Sequence, residues 1–216
     1  MKTLNVKVTF IEEALGLSAS NQDVYSQYIA SKNPEAPTKN ERMAEEIAAI
    51  GEDAVAENGM TVFPKDSDGT PIFWDYQIKG FFKDSCGALQ RMKDEDLAKE
   101  SCKLKAYKKV IDGALFVFPR KIRIHVNGEM GTCERPLRAQ TAQGERIALA
   151  SSETVPAGSW MEFQVMCPDQ YEKLVKEWFY YGRLRGMSQW RNSGKGRFLY
   201  TCKVEDGMPE EVTAEK

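Results

Sequence analysis

With 216 residues, 42% of them hydrophobic, 29% charged and 10% aromatic, the chain has the make-up of an ordinary globular protein long enough to bury a substantial core. That composition excludes disordered, collagenous and membrane-embedded classes, and no run approaches the roughly 18 apolar residues that a membrane helix needs. The formal net charge of −2 does not by itself point to a polyanionic partner.

In chain order, Leu4-Asn5-Val6-Lys7-Val8-Thr9-Phe10 alternates with period two and predicts a strand with Leu4, Val6, Val8 and Phe10 inward. The same alternation leaves no apolar block of the kind a secretory leader requires. Gly16–Thr38, with Pro34 and Pro37, reads as a long irregular connection. Met43, Ile47 and Ile50 form an apolar stripe that predicts a helix from Lys39 to a stop at Asn58-Gly59. Met60–Phe63 and Pro71–Trp74 flank Asp66-Ser67-Asp68-Gly69 and predict a hairpin. Gly80 is expected to open a helix carrying Phe82, Cys86 and Leu89 on one face, and a charged helix-prone stretch follows around Asp94–Lys109. Strands are expected at Ala114–Pro119, Lys121–Val126, Arg146–Ser151 and Trp160–Met166. A helix capped by Asp169 should run through Trp178 and Tyr181 to Gly182, then a Gly/Arg-rich loop, then a strand Gly196–Val204. Strands and helices mixed with antiparallel hairpins favour an α+β class over a doubly wound parallel sheet. We expect a single domain over residues 1–204 with an insertion around 16–59, and an acidic flexible tail over 205–216.

The five cysteines are scattered without a Cys-x-x-Cys pair, which predicts reduced thiols, a cytoplasmic protein, and neither a disulfide framework nor a zinc site. His125 is the one histidine, so no histidine acid/base pair can form. Alternation puts it on the polar strand face with Arg123, where it could meet RNA or be a solvated structural residue. Ser151 and Ser152 lack a Gly-x-Ser-x-Gly elbow. No catalytic residue, metal or cofactor is therefore assigned.

Charge is segregated: Tyr171–Val204 holds eight Lys/Arg against two Asp/Glu, and Lys103–Arg123 seven against one. Such segregation fits a nucleic-acid groove, and fits solvated helix faces equally. The richest stretch is Tyr180–Phe198, where four glycines bracket Arg183, Arg185, Arg191, Lys195 and Arg197. Glycines permit close backbone approach, the cations neutralise phosphates, and Trp190 offers a stacking face. The spacing matches neither a phosphate loop nor a dinucleotide fingerprint. Lys79 and Lys83 flank Gly80 where a strand end is expected to meet a helix N-terminus, a favourable place for phosphate.

Ile78-Lys79-Gly80-Phe81-Phe82-Lys83 resembles the strand–glycine–helix motif of the RAMP superfamily of CRISPR RNA-binding proteins, with Lys79 in place of a proline and Phe81 and Phe82 in place of serines. Arg135-Pro136-Leu137-Arg138-Ala139-Gln140-Thr141, followed by Ser152–Phe163, is similar to their arginine-bearing loop and the strand start after it. Gly186–Phe198 resembles their C-terminal glycine-rich loop. The resemblance implies a modified ferredoxin-like, RRM-like antiparallel sheet with helices on one face, and RNA lying along the sheet or across the glycine-rich loop. It adds Arg135 and Arg138 to the candidate nucleic-acid-binding residues. The implied partners are single-stranded or guide RNA, CRISPR effector subunits, or copies of the chain along RNA, with the protein a backbone-type subunit or a phage-borne relative. Two alternatives remain open: an inhibitor that docks on an effector complex, and a metal-independent ribonuclease.

Overall fold

Period-two alternation decides how the first strand faces: Leu4, Val6, Val8 and Phe10 are buried, while Asn5, Lys7 and Thr9 stay half-exposed on the opposite face. In the computed structural model, which describes residues 1–19, 60–93, 96–141 and 144–208 (backbone alone at 19, 137–141 and 144–149), the elements run in this order. They are β1 (Lys2–Phe10), β2 (Ala14–Leu15), β3 (Ser18–Ala19), β4 (Thr61–Val62), β5 (Ile72–Trp74), α1 (Asp75–Met92), α2 (Tyr107–Ala114), β6 (Phe116–Phe118), β7 (Lys121–His125), β8 (Gly131–Thr141), β9 (Gly144–Val155), β10 (Trp160–Cys167), α3 (Glu172–Arg185) and β11 (Phe198–Asp206). The expected helix Lys39–Asn58, most of the Gly16–Thr38 connection, Asp94-Glu95 and the tail beyond residue 208 lie outside the described residues.

The chain forms two compact units, the first from Met1–Ala14, Pro64–Glu129 and Val155–Lys216. Its sheet has the order β11-β1-β10-β7-β5, with β6 also pairing β10. Taking β1, α1, β6 with β7, β10, α3 and β11 gives the β-α-β-β-α-β succession of a ferredoxin-like α+β fold, with antiparallel neighbours throughout. Helices α1 and α3 close the core: Ile78, Phe81, Phe82, Cys86 and Leu89 from α1 meet Leu174, Val175, Trp178 and Phe179 from α3. Phe81 lies 5.6, 5.9 and 5.8 Å from the rings of Phe82, Phe179 and Phe198. Each such buried side chain contributes roughly 1.5–3 kcal/mol.

The second unit comprises Leu15–Phe63 and Met130–Thr154. Its frame is the long antiparallel ribbon of β8 and β9, in register from Gly131↔Thr154 to Thr141↔Gly144. Thr61 of β4 pairs parallel with Ser152 of β9, and their hydroxyls are 2.8 Å apart. Glu153 accepts the Phe63 backbone N–H at 2.9 Å, a structural task.

Several expectations need correction. Helix α1 starts at Asp75, because Ile78 extends the buried stripe of Phe81, Phe82 and Ser85 back past Gly80, and the Gln77 side chain accepts the Trp74 N–H at 2.8 Å. Helix α3 passes through Gly182 and ends at Gly186 (φ 92°), since Gly182 serves packing rather than termination. The Asp66–Gly69 turn forms, with Asp66 N–H donating to Thr70 O, but beyond Pro64 and Pro71 the flanks part: β4 joins β3 and β9 while β5 joins β7. Around Lys103 the chain makes turns and a short 3-10 helix, Ser101–Lys103, and Ala106 with φ 50° precedes α2. Arg135–Thr141, expected as a loop, lies within strand β8.

Candidate nucleic-acid interface

The glycine-bracketed segment closes on itself. Met187 N–H donates to Gly196 O and Gly196 N–H to Glu13 O, both at 2.8 Å. A Cβ on Gly186 would stand 2.4 Å from Lys195 O, and one on Gly196 1.7 Å from Met187 O, so these two glycines serve backbone-to-backbone approach within the loop. Its cations face the protein's own acids. Arg185 Nε is 2.7 Å from Asp84 Oδ2 and Arg191 Nη2 3.4 Å from Asp84 Oδ1, and Asp84 holds the Arg185 guanidinium above its ordinary value. Arg191 Nη1 also donates to Ser188 O at 2.8 Å, and Lys195 pairs with Glu13. Arg183 lies over the Tyr180 ring at 4.2 Å, and the Nε atoms of Arg183, Arg191 and Arg197 are buried without a hydrogen-bond partner. Trp190 is 40% exposed in a left-handed backbone conformation (φ 54°).

Lys79 and Lys83 stand one turn apart on α1 and both reach α2, Lys79 Nζ donating to Asp112 O at 3.3 Å and Lys83 pairing with Asp112 Oδ1 at 2.5 Å. They therefore bridge two helices in the interior of α1, away from its N-terminus. Arg135 and Arg138 sit on β8, opposite Ala150 and Ile147, Arg135 half-buried and the Arg138 side chain outside the described residues. The ten candidates thus fall in three places: Lys79 and Lys83 on α1, Arg135 and Arg138 on β8, and Arg183, Arg185, Trp190, Arg191, Lys195 and Arg197 along the end of α3 and the loop after it.

The pattern did not single out the open face of the first sheet. Alternation on three long strands sets side chains in rows across it. One row runs Lys203–Asn5–Gln164, the next Thr201–Lys7–Glu162, and the next Leu199–Thr9–Trp160–His125. Gln164 Nε2 donates to Asn5 Oδ1 at 2.8 Å. Lys7 pairs with Glu162 at 3.1 Å and stands 3.8 Å over the Trp160 ring, and His125 stacks on Trp160 at 3.8 Å with 13° between planes. Lys121 and Arg123, on the same face of β7, hold Asp66 and Asp68, so that the Asp66 carboxyl drops to about 2. A cleft of about 770 Å³ lies over β1, β10 and β11, with Gly207 and Met208 at one end, where Thr3 Oγ1 donates to Gly207 O. Among the described residues no group of three or more His, Cys, Asp or Glu is spaced to hold a metal ion, and no helix is long and apolar enough to cross a membrane. The available chemistry is hydrogen bonding, stacking and cation contact on a sheet surface.

No family model and no curated protein matches the chain. Among solved structures, a chain of a Type IV-B CRISPR complex is similar over 96% of this chain and 94% of its own, at 10% identity and a TM-score of 0.45. A chain in the cryo-EM structure of the Type III-B Cmr-beta bound to cognate target RNA is similar over 94% of this chain at 10% identity, and this chain spans 60% of that one's length. With a TM-score of 0.51 against it, the protein shares its fold with a chain of that CRISPR complex.

Proposed function

We propose that the protein is a non-catalytic binder of single-stranded RNA that acts in or against a CRISPR-type system. The observation that carries this reading is the open sheet face, where amide, hydroxyl, cationic and aromatic side chains stand in cross-strand rows around a cleft. Sheet surfaces of this make-up suit unstacked single strands, which present base edges and phosphates together. The fold is that of a chain from a complex bound to cognate target RNA, which supports the same ligand class. The loop arginines and lysine then act chiefly as the scaffold of the segment after α3.

The test is fluorescence anisotropy with a labelled single-stranded RNA of about 30 nucleotides at two salt concentrations. Binding that weakens with salt and leaves the RNA intact is expected. RNA loss abolished by His125→Ala would establish a ribonuclease instead. A second reading, a protein-docking antagonist of an effector complex, is favoured by one observation, the internal pairing of Arg185, Arg191 and Lys195. Absence of RNA binding by the intact protein would select it.

A further inference from the structure

The row Lys203–Asn5–Gln164 lines the open-face cleft, and its hydrogen-bonding capacity is only partly used. In the one bond between the two amides, Gln164 Nε2 donates and Asn5 Oδ1 accepts. Among the described residues that leaves the two N–H donors of Asn5 Nδ2, the second N–H of Gln164 Nε2 and the acceptor Gln164 Oε1, on residues that are half-buried. Neither Asn5 Nδ2 nor Gln164 Oε1 is among the buried polar groups that lack a partner, so both meet water, which the edge of a complementary ligand would replace. A donor beside an acceptor on neighbouring strands matches the acceptor-and-donor edge of a nucleobase. Pro119, next to Gln164's strand partner Phe118, lines the cleft on the β6 side. Lys203 is exposed and has no ion pair among the described residues, whereas Lys7 one row away is held by Glu162.

We infer that this cleft holds one unstacked base of a bound single-stranded RNA, its edge read by Asn5 Nδ2 and Gln164 Oε1, with Lys203 on the adjoining phosphate. The inference rests on the RNA-binding reading and adds to it a place and a source of base preference. A bare polyphosphate fits less well, because Glu162, Glu205 and Asp206 line the same cleft. Trp160 is not the stacking platform, since Lys7 and His125 already lie against its ring.

The experiment measures affinity for homopolymeric single-stranded RNAs of each base with the wild type, Asn5→Ala, Gln164→Ala and Lys203→Glu, and maps contacts by photocrosslinking 4-thiouridine RNA. The wild type is expected to prefer one homopolymer. Each amide variant should lose about tenfold on it and bind the four more evenly, while Lys203→Glu weakens all four alike. Crosslinks should fall in Lys2–Phe10, Trp160–Cys167 and Phe198–Asp206. Wild-type binding with unchanged preference in amide variants that melt like the wild type, or crosslinks confined to 186–197, would overturn the cleft and leave RNA binding standing. Should an amide variant fail to fold, Lys203→Glu and the crosslinks decide. No binding to any homopolymer would overturn both readings.

Discussion

Gly80 and Gly182 both lie inside helices, yet the same substitution should move stability in opposite directions. A Cβ at Gly80 meets nothing within 4 Å, so Gly80→Ala removes the glycine penalty of a helix interior and stabilises by about 0.5–1 kcal/mol. At Gly182 that gain is opposed by contact: the new Cβ would stand 2.1 Å from Phe81 Cζ and 2.4 Å from Cε2. The ring is 5% exposed and boxed by Phe82, Phe179 and Phe198, so it has little room to swing aside. Overpacking of this kind costs about 1–3 kcal/mol, and a contact this short belongs at the upper end. Subtracting the helical gain leaves a net loss of about 2 kcal/mol. In a chain of this size each kcal/mol moves Tm by about 2–4 °C, so Gly80→Ala should raise it by about 1–4 °C and Gly182→Ala lower it by about 4–8 °C. Circular-dichroism melts and urea titrations read both. Phe81→Leu combined with Gly182→Ala should destabilise by less than the two changes summed, because the smaller side chain admits the methyl. Equal or higher stability of Gly182→Ala would refute the reasoning.

Ser101 accepts the Trp178 indole N–H at 3.0 Å and donates to Glu177, whose carboxylate also takes the Glu100 and Ser101 backbone N–H groups at 2.8 and 2.9 Å. Ser101→Ala leaves a buried indole donor unpaired and should cost about 1–3 kcal/mol, with a shift of tryptophan emission. Asp66, at about 2 because Lys121, Arg123 and the Ser67 N–H favour its charged form, contributes stability above the ordinary carboxylate range that is lost as pH falls through about 2. Carbon-13 carboxyl shifts should show that low midpoint, and Lys121→Ala should raise it. Burial pushes the Cys86 and Cys167 thiols up to about 11, so an alkylating agent at pH 8 should modify exposed Cys102 and spare those two until the chain unfolds. Asp84→Ala releases Arg185 and Arg191, and should lower the melting temperature while making RNA binding tighter at low salt and steeper in its salt dependence.

The strands were legible wherever one face is buried. Leu4–Phe10, Lys121–Val126 and Trp160–Met166 carry their facing in their own alternation, and the α+β class follows from their order. Helix ends were less legible, because a glycine reads alike whether it stops a helix or admits a neighbour's ring. Gly182 admits Phe81, a contact 101 residues away in the chain by numbering that no local pattern encodes. Strand β8 was hidden because Glu134, Arg135, Pro136 and Arg138 show no apolar alternation. The basic loop is visible in composition, but the partners of its cations, Asp84 and Glu13, arrive from α1 and the bend between β1 and β2. The open-face row is hidden for a related reason: Asn5, Gln164 and Lys203 carry no signal alone and acquire meaning only through strand register.

Charge density along a sequence and charge available to a ligand are therefore different quantities in this protein. A phosphate approaching Arg185 must compete with a carboxylate 2.7 Å away, so the contact exchanges one ion pair for another and gains little. Lys203 offers a charge with no ion-pair partner among the described residues, and a phosphate placed on it releases condensed counterions without breaking an internal pair. On a single strand, one such contact changes the slope of log affinity against log salt by about 0.7. Lys203→Glu should therefore flatten that slope, whereas Arg185→Ala should leave it nearly unchanged while lowering stability. If the two effects are reversed, with Arg185 governing the salt slope, the loop after α3 carries the phosphates and Asp84 is the group that RNA displaces.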